Sequence, residues 1–216
     1  MNQPELKALI VDFGGVLTTP LQDSFAAFAE ETGISLDDLV RAALPAYTGA
    51  DDQLVTDFET GRISEEDFSK HFAARLTRAT GLPVDPATLL GRLFAGARLE
   101  ESMLDAVAAA RRAGLKTGLL SNSWGLSGYP RERMADLFDD VVISGEAGLR
   151  KPDPAIFELA ADRLGIAAEQ CVFVDDHPGH LKAAQELGMT TVLHRAPETT
   201  IPELESLLGV TLSGSS

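Results

Sequence analysis

The chain has 216 residues, enough for one sizeable hydrophobic core, with or without an inserted segment. Its 33 acidic residues against 18 lysines and arginines give a formal net charge of −15, which disfavours nucleic acid and anionic membranes as partners. The single cysteine, Cys171, excludes an internal disulfide and is interpreted as a small core residue. With neither a secretory signal nor a membrane-spanning apolar stretch in the sequence, we expect a cytoplasmic protein.

The first predicted element is a buried strand, Ala8–Val11, that leads directly to a carboxylate, Asp12. A carboxylate at the C-terminal end of a buried strand lies where open α/β sheets bind ligands. Gly14 and Gly15 follow, and glycines allow the backbone to approach a ligand or metal closely. A plain strand and turn is the alternative explanation, because Asp and Gly both favour turns.

Residues 20–99 form the next region, and their pattern predicts helices without a convincing strand. We expect an all-α segment, inserted between the first strand and the rest of the sheet, that covers the carboxyl ends of the strands as a cap. Extra helices packed on one face of the sheet would produce the same pattern. The predicted helices are 21–31, 36–43, 53–59, 65–79 and 86–94.

From residue 100 onward, predicted helices alternate with short apolar runs. Runs without clean polar alternation are typical of parallel strands buried on both faces. The pattern predicts a Rossmann-like α/β fold with three layers, α/β/α, built from residues 1–19 and 100–212, with 213–216 as a loose tail. The predicted strands are 115–120, 141–143, 172–174 and 191–193, and the predicted helices are 100–113, 130–138 and those opened by Pro154 and Pro178.

Four polar motifs follow the predicted strand ends in chain order. Because parallel strands end at one edge of the sheet, we expect the four motifs to converge there. The motifs are Asp12, Ser121-Asn122-Ser123, residues 150–154 and residues 174–179.

The order of these motifs resembles the haloacid dehalogenase superfamily of aspartyl-nucleophile hydrolases. The resemblance covers nearly the whole chain, and the helical segment resembles the small α-helical cap of that family. In particular, the chain resembles the phosphatase-like N-terminal domain of soluble epoxide hydrolases and its bacterial relatives. The stretches that carry this likeness are 14–17, 121–124, 151–152 and 175–189.

The resemblance implies that Asp12 attacks phosphorus and forms an acyl phosphate, which divides a hard hydrolysis into two easier steps. Mg²⁺ would relieve the repulsion between this carboxylate and the phosphate, and oxygen ligands suit that cation. The expected metal site comprises Asp12, Asp176 and the Gly14 carbonyl. Asp175 belongs to the same site and is expected to orient Lys151 or a metal-bound water.

The remaining motifs predict the residues that bind substrate. The Ser121 hydroxyl and the Asn122 backbone amide are expected to bind phosphate oxygens. Lys151 is expected to neutralise the phosphate and the attacking carboxylate. Gly15 is expected to let the backbone approach the substrate. Alternatively, Ser121 is an ordinary loop serine and Lys151 is a solvated surface lysine. The assignments therefore depend on the position of each residue in the order of the motifs.

Gly14 departs from the family pattern, because phosphatases of the family usually carry a general acid at this position. A positioned acid is typically worth roughly 100- to 10,000-fold in rate. Some relatives that resemble this chain also lack it. A metal-bound water, Asp175 or His177 are candidate surrogates, although His177 and His180 also fit surface positions. Trp124 is expected either to line the pocket or to pack between cap and core.

The sequence therefore predicts a Mg²⁺-dependent hydrolase that acts on a small phosphomonoester. One alternative is a metal-independent 2-haloacid dehalogenase, which uses the same nucleophile. The paired carboxylates of Asp175 and Asp176 argue against it, because that chemistry needs no cation. The other alternative is a catalytically weak phosphate-binding or regulatory protein, which Gly14 favours.

Overall fold

The chain folds around a parallel sheet. The structure is a computed structural model, and it describes residues 5–43, 52–125 and 128–213. Across these residues the strand order is β3-β2-β1-β4-β5, and every neighbouring pair is parallel. The predicted α/β fold class is confirmed, and each strand boundary lies within one residue of its prediction. The strands are β1 Ala8–Val11, β2 Lys116–Ser121, β3 Asp140–Ile143, β4 Cys171–Asp175 and β5 Thr190–Leu193.

Between β1 and β2 the described chain is helical, as the sequence predicts. The last of these helices begins later than expected, because the Asp85 carboxylate accepts hydrogen bonds from the Ala87 amide and the Thr88 hydroxyl and holds a turn. The helices are α1 Leu21–Thr32, α2 Leu36–Ala43, α3 Gln53–Glu59, α4 Glu65–Thr80 and α5 Leu89–Leu93.

The remaining helices cover the two faces of the sheet. The sequence pattern identifies neither α8, which is a single turn, nor α11, whose pattern is interrupted by the internal Pro202. No described helix is long and apolar enough to cross a membrane. These helices are α6 Glu101–Arg112, α7 Arg131–Leu137, α8 Ser144–Ala147, α9 Pro154–Leu164, α10 Pro178–Glu186 and α11 Pro197–Leu208.

Two hydrophobic clusters lie on opposite faces of the sheet. Leu9 and Val11 of β1 belong to one cluster, and Ala8 and Ile10 belong to the other. Because side chains alternate along a strand, burial on both faces requires the unbroken apolar run seen in the sequence. Cys171 is fully buried in the second cluster, and burial raises the pKa of its thiol to about 11, as suits a core residue.

The helical segment has a third hydrophobic cluster of its own, built around Phe28, Phe68 and Phe72. Its two connections to the sheet run side by side, since Thr18 and Leu99 form an antiparallel bridge.

At the C-terminus, Ser213, which the sequence assigned to a loose tail, is hydrogen-bonded to the protein. The backbone amide and hydroxyl of Ser213 both donate to the Glu205 carboxylate, 2.8 and 2.7 Å away. Ser213 is therefore held against α11, and 214–216 lie outside the described residues.

Candidate active site

The carboxyl ends of three neighbouring strands meet at one edge of the sheet. β1 lies between β2 and β4. Asp12 directly follows β1, Ser121 is the last residue of β2, and Asp175 is the last residue of β4. This edge is where open α/β sheets bind ligands. The strand order alone therefore brings three of the predicted motifs together.

Lys151 reaches the same point by a different route. The sequence places its motif after the third predicted strand, and the structure places the short helix α8 between β3 and Lys151. Its side chain is 0% exposed, and its ammonium lies 2.9 Å from Asp12 Oδ1 and 2.6 Å from Asp175 Oδ2. Burial alone would lower the pKa of Lys151, but these two carboxylates raise it above its usual value. Lys151 is thus a buried cation that forms an ion pair with Asp12, the predicted nucleophile.

The Asn122 side chain holds the Lys151 backbone in place. Its Oδ1 accepts the Lys151 N–H at 2.8 Å, and its Nδ2 donates to the Lys151 carbonyl at 3.0 Å. The sequence motif predicted a role only for the Asn122 backbone amide. The role of the side chain cannot be recognised from the neighbouring sequence, because its partner Lys151 lies 29 residues away in the chain.

The three aspartates form a group that suits a cation. Asp12, Asp175 and Asp176 each offer a carboxylate oxygen within 4.8 Å of the others. Burial raises the pKa of Asp12 to about 7 against the opposing charge of Lys151. Burial and the neighbouring Asp175 charge raise the pKa of Asp176 to about 6. Crowded oxygen donors of this kind fit a hard divalent cation such as Mg²⁺.

Asp175 differs from the other two aspartates because its oxygens are already engaged. Besides contacting Lys151, it accepts the His177 N–H at 2.7 Å and lies 3.1 Å from His180 Nδ1. Although burial raises the pKa of Asp175, the Lys151 and His180 contacts hold it well below its usual range. These contacts favour an orienting role for Asp175 over direct metal binding.

The two glycines after the nucleophile have different structural roles. Gly15 has a φ of +74°, and a Cβ there would lie 2.5 Å from Asp176 Oδ2. Its N–H donates to Thr18 Oγ1 at 3.0 Å, which holds the turn, and its expected contact with substrate stays a prediction. Gly14 lacks a positive φ, and a Cβ there would meet only the flexible end of Leu21, at 3.1 Å.

A cavity of about 430 Å³ opens above these residues. Its polar floor includes Ser121, whose hydroxyl lies 2.8 Å from the Tyr129 hydroxyl. Burial raises the pKa of Tyr129 to about 12, so its hydroxyl stays protonated and can donate. Nothing in the sequence pattern identified Tyr129. The floor also includes Asp12, Gly14, Asn122 and Asp176, and apolar walls are formed by Leu21, Leu90, Phe94, Leu99 and Trp124.

The two histidines of the fourth motif take different positions. His180 is buried and lines the cavity, which corrects the surface position considered from sequence. Burial lowers its pKa despite the hydrogen bond to Asp175, so the neutral imidazole is favoured. His177 directly precedes α10 and is absent from the cavity lining formed by described residues. Of the two histidines, only His180 lines the cavity formed by the described residues.

Comparison with known proteins places these features in a family. A family model described as a haloacid dehalogenase-like hydrolase matches residues 6–188. Bifunctional epoxide hydrolase 2 of Sus scrofa is 30% identical over 221 residues, which are 96% of this chain and 40% of that protein. A phosphatase of Mycobacterium tuberculosis is 33% identical over 228 residues, which are 97% and 98% of the two chains. The chain spans less than half of the first of these relatives.

Solved structures share the same fold. A predicted HAD-like family hydrolase from Porphyromonas gingivalis superposes with a TM-score of 0.71 and 24% identity, covering 95% of this chain and 98% of that one. A HAD family enzyme from Bacteroides thetaiotaomicron, in complex with magnesium and inorganic phosphate, gives a TM-score of 0.64 at 22% identity over 88% and 95% of the chains.

Proposed function

The chain belongs to the haloacid dehalogenase-like hydrolase family, and we propose that this hydrolase is a Mg²⁺-dependent phosphatase for small phosphomonoesters. One observation carries the proposal: Asp12, paired with the buried Lys151, lies beside Asp176 at the floor of a cavity. The phosphatase from Mycobacterium tuberculosis, which matches almost end to end, supports the same reaction class.

In the proposed reaction, Asp12 is the nucleophile. A bond forms between its carboxylate oxygen and phosphorus as the ester P–O bond breaks, and the alkoxide that leaves takes a proton from water to become the alcohol. Water then hydrolyses the aspartyl phosphate, which releases inorganic phosphate and restores Asp12. Lys151 pairs with the Asp12 carboxylate and opposes the rise in its pKa that burial causes. The Ser121 and Tyr129 hydroxyls are hydrogen-bonded to each other and line the cavity, so the one that accepts from the other would donate to a phosphate oxygen.

The proposed metal ligands are Asp12, Asp176 and the Gly14 carbonyl, with Asp175 orienting Lys151. The three carboxylates lie within 4.8 Å of one another, which supports this assignment. Burial, with a smaller contribution from the neighbouring carboxylates, raises the pKa values of Asp12 and Asp176. Mg²⁺ bound here would neutralise the charge that the carboxylates and the phosphate bring together.

Residues 20–99 are proposed to be a cap on a core of residues 1–19 and 100–212. Leu90 and Phe94 of this segment contribute to the cavity wall, which supports a substrate with a largely apolar organic group. The acidic net charge and the buried cysteine support a cytoplasmic enzyme with a small-molecule substrate and no nucleic-acid or membrane partner.

The test is phosphate release from a panel of aryl and alkyl phosphomonoesters, with Mg²⁺ or with a chelator. The proposal expects turnover that the chelator abolishes. Chloride release from a 2-haloacid in the presence of chelator would instead identify a dehalogenase. Phosphate binding without turnover across the panel would indicate a regulatory protein.

We expect Asp176→Asn to weaken Mg²⁺ binding more than Asp175→Asn does, because Asp175 is already engaged by Lys151 and His180. Mutation of a residue that orients a metal ligand typically lowers metal affinity by roughly 10- to 100-fold, and we expect a loss of this size for Asp175→Asn. Calorimetric titration of Mg²⁺ into both variants measures the difference. The opposite order would make Asp175 the direct ligand.

Gly14→Asp is expected to raise kcat mainly for alkyl phosphates, whose leaving groups need a proton. The ordinary φ of Gly14 and the flexible Leu21 neighbour make the substitution compatible with the fold. The gain should stay below the roughly 100- to 10,000-fold of a well-positioned acid, because nothing yet holds the new carboxyl.

Single-turnover phosphorylation with aryl and alkyl phosphates gives the dependence of rate on leaving-group pKa. We expect this dependence to be steep in the wild type and flatter in the variant. A flat dependence in the wild type would show that another residue already supplies the proton.

A further inference from the structure

Glu59 is a buried carboxylate that the proposed reaction does not use. It is the last residue of α3 and is only 2% exposed. Its Oε1 accepts a hydrogen bond from the Trp124 indole N–H at 3.1 Å, and its Oε2 lies 2.9 Å from Arg150 Nε. The side chain therefore points from the helical segment into the α/β core.

The two partners of Glu59 belong to the two loops that form the proposed phosphate site. Trp124 lies three residues after Ser121, and Arg150 directly precedes Lys151. One carboxylate thus contacts both loops at once. Helix α3 supports the second contact, because Arg150 Nη1 also donates to Thr56 Oγ1 at 2.7 Å.

The surroundings keep the end of α3 in this position. The Ser144 hydroxyl donates to the Glu59 carbonyl and accepts the Ser123 N–H at 2.7 Å. Trp124 itself packs edge-on against the aromatic cluster of the helical segment, 5.7 Å from Phe68 and 5.9 Å from Phe94 between ring centroids. The contacts on both sides of Glu59 are therefore specific and close.

We propose that Glu59 is a positioning residue that couples the helical segment to the phosphate site. By contacting both Trp124 and Arg150, it fixes the position of the loop after β2 relative to the loop between α8 and α9. Through these loops it sets the relative placement of Ser121 and Lys151. This inference rests on the proposed phosphatase function.

The electrostatics agree with a residue whose charge must remain paired. Burial raises the pKa of Glu59 to about 7, while the Arg150 charge and the Trp124 hydrogen bond oppose that rise. A buried carboxylate carries a large desolvation cost, so removing either partner leaves the other charge uncompensated.

Glu59→Gln tests the proposal, because it keeps the size and one acceptor but removes the charge that faces Arg150. With p-nitrophenyl phosphate we expect kcat to fall by roughly 10- to 100-fold, the scale of a small misplacement of reacting groups. The Mg²⁺ concentration for half-maximal rate should not change, because Asp12 and Asp176 lie on other elements. Acrylamide quenching of Trp124, the only tryptophan, should increase.

Asp52→Asn is the matched control. Asp52 caps the other end of α3 and pairs with Arg75 inside the helical segment, so its side chain is engaged away from both loops. We expect this variant to lower thermal stability while kcat and Trp124 quenching keep their wild-type values.

Arg150→Lys tests the same contact from the core side, in case Glu59→Gln does not fold. It keeps the charge but loses the two-nitrogen contact with Glu59 and Thr56, and the same loss of kcat is expected. Combining the two substitutions should cost little more than either alone, because both remove one contact.

The outcomes separate this inference from the proposed function. If the wild type is active and neither Glu59→Gln nor Arg150→Lys changes kcat or Trp124 quenching, the phosphatase function stands and the role of Glu59 is overturned. Unchanged kcat with altered quenching would also overturn it, because the contact would then be structural only. A wild type that hydrolyses no phosphomonoester would reject the phosphatase function, and the positioning role with it.

Discussion

Asp12→Asn is expected to abolish turnover of every phosphomonoester, leaving no more than a trace of the wild-type kcat. The amide keeps the size of the side chain but cannot supply the attacking oxygen anion. Asp12 is also the carboxylate that Lys151 contacts at the cavity floor, 2.9 Å away. Steady-state kinetics, together with mass spectrometry of acid-quenched enzyme for the aspartyl phosphate, measure the effect.

The control for this variant is Asp23→Asn, since Asp23 is an exposed residue in the first turn of α1. Its kcat should equal that of the wild type. If Asp12→Asn retained substantial activity, or if a phosphoryl group appeared on another residue, the nucleophile would be misassigned.

Lys151→Met is expected to cause the second-largest loss, in both activity and stability. Asp12 and Asp175 would lose the cation that lies between them. Removing one partner of a buried ion pair typically costs about 3–5 kcal/mol in free energy of unfolding. Loss of one electrostatic contact to the reacting groups typically lowers kcat by roughly 100- to 1,000-fold.

Lys116→Met provides the comparison, because Lys116 forms a half-exposed ion pair with Asp139 at 3.1 Å. Exposed pairs of this kind contribute only about 0–1 kcal/mol. Urea denaturation gives the stability of both variants, and kcat is measured at a temperature where both stay folded. Equal destabilisation by the two substitutions would contradict the buried role of Lys151.

The α/β core could be predicted from the sequence because its signals are local. A strand buried on both faces must be apolar throughout, so β1 and β4 are visible as short apolar runs. Asp12 and Asp175 lie at the ends of those runs, and parallel pairing then requires the two carboxylates to meet. Position along the chain was therefore enough to predict Asp12 and Asp175 as neighbours.

Other parts of the site have no such local signal. Glu59 resembles any acidic residue at the end of a helix, yet its partner Arg150 lies 91 positions further along the chain. Tyr129 meets Ser121 only because the loop after β2 folds back over the strand end. His180 fits a surface helix by pattern, but the Asp175 carboxylate holds it in the cavity wall.

The sequence by itself determined the sheet, the helical segment and the order of the motifs, because strand burial and helix periodicity depend on neighbouring residues. Only the tertiary structure decided which side chains support the nucleophile and how the helical segment meets the phosphate site. Those contacts depend on distances between elements far apart in the chain. A buried charge or polar group that lacks a partner carries a large free-energy cost, which favours these particular contacts. Which groups are buried and which partners they meet is known only once the elements have packed.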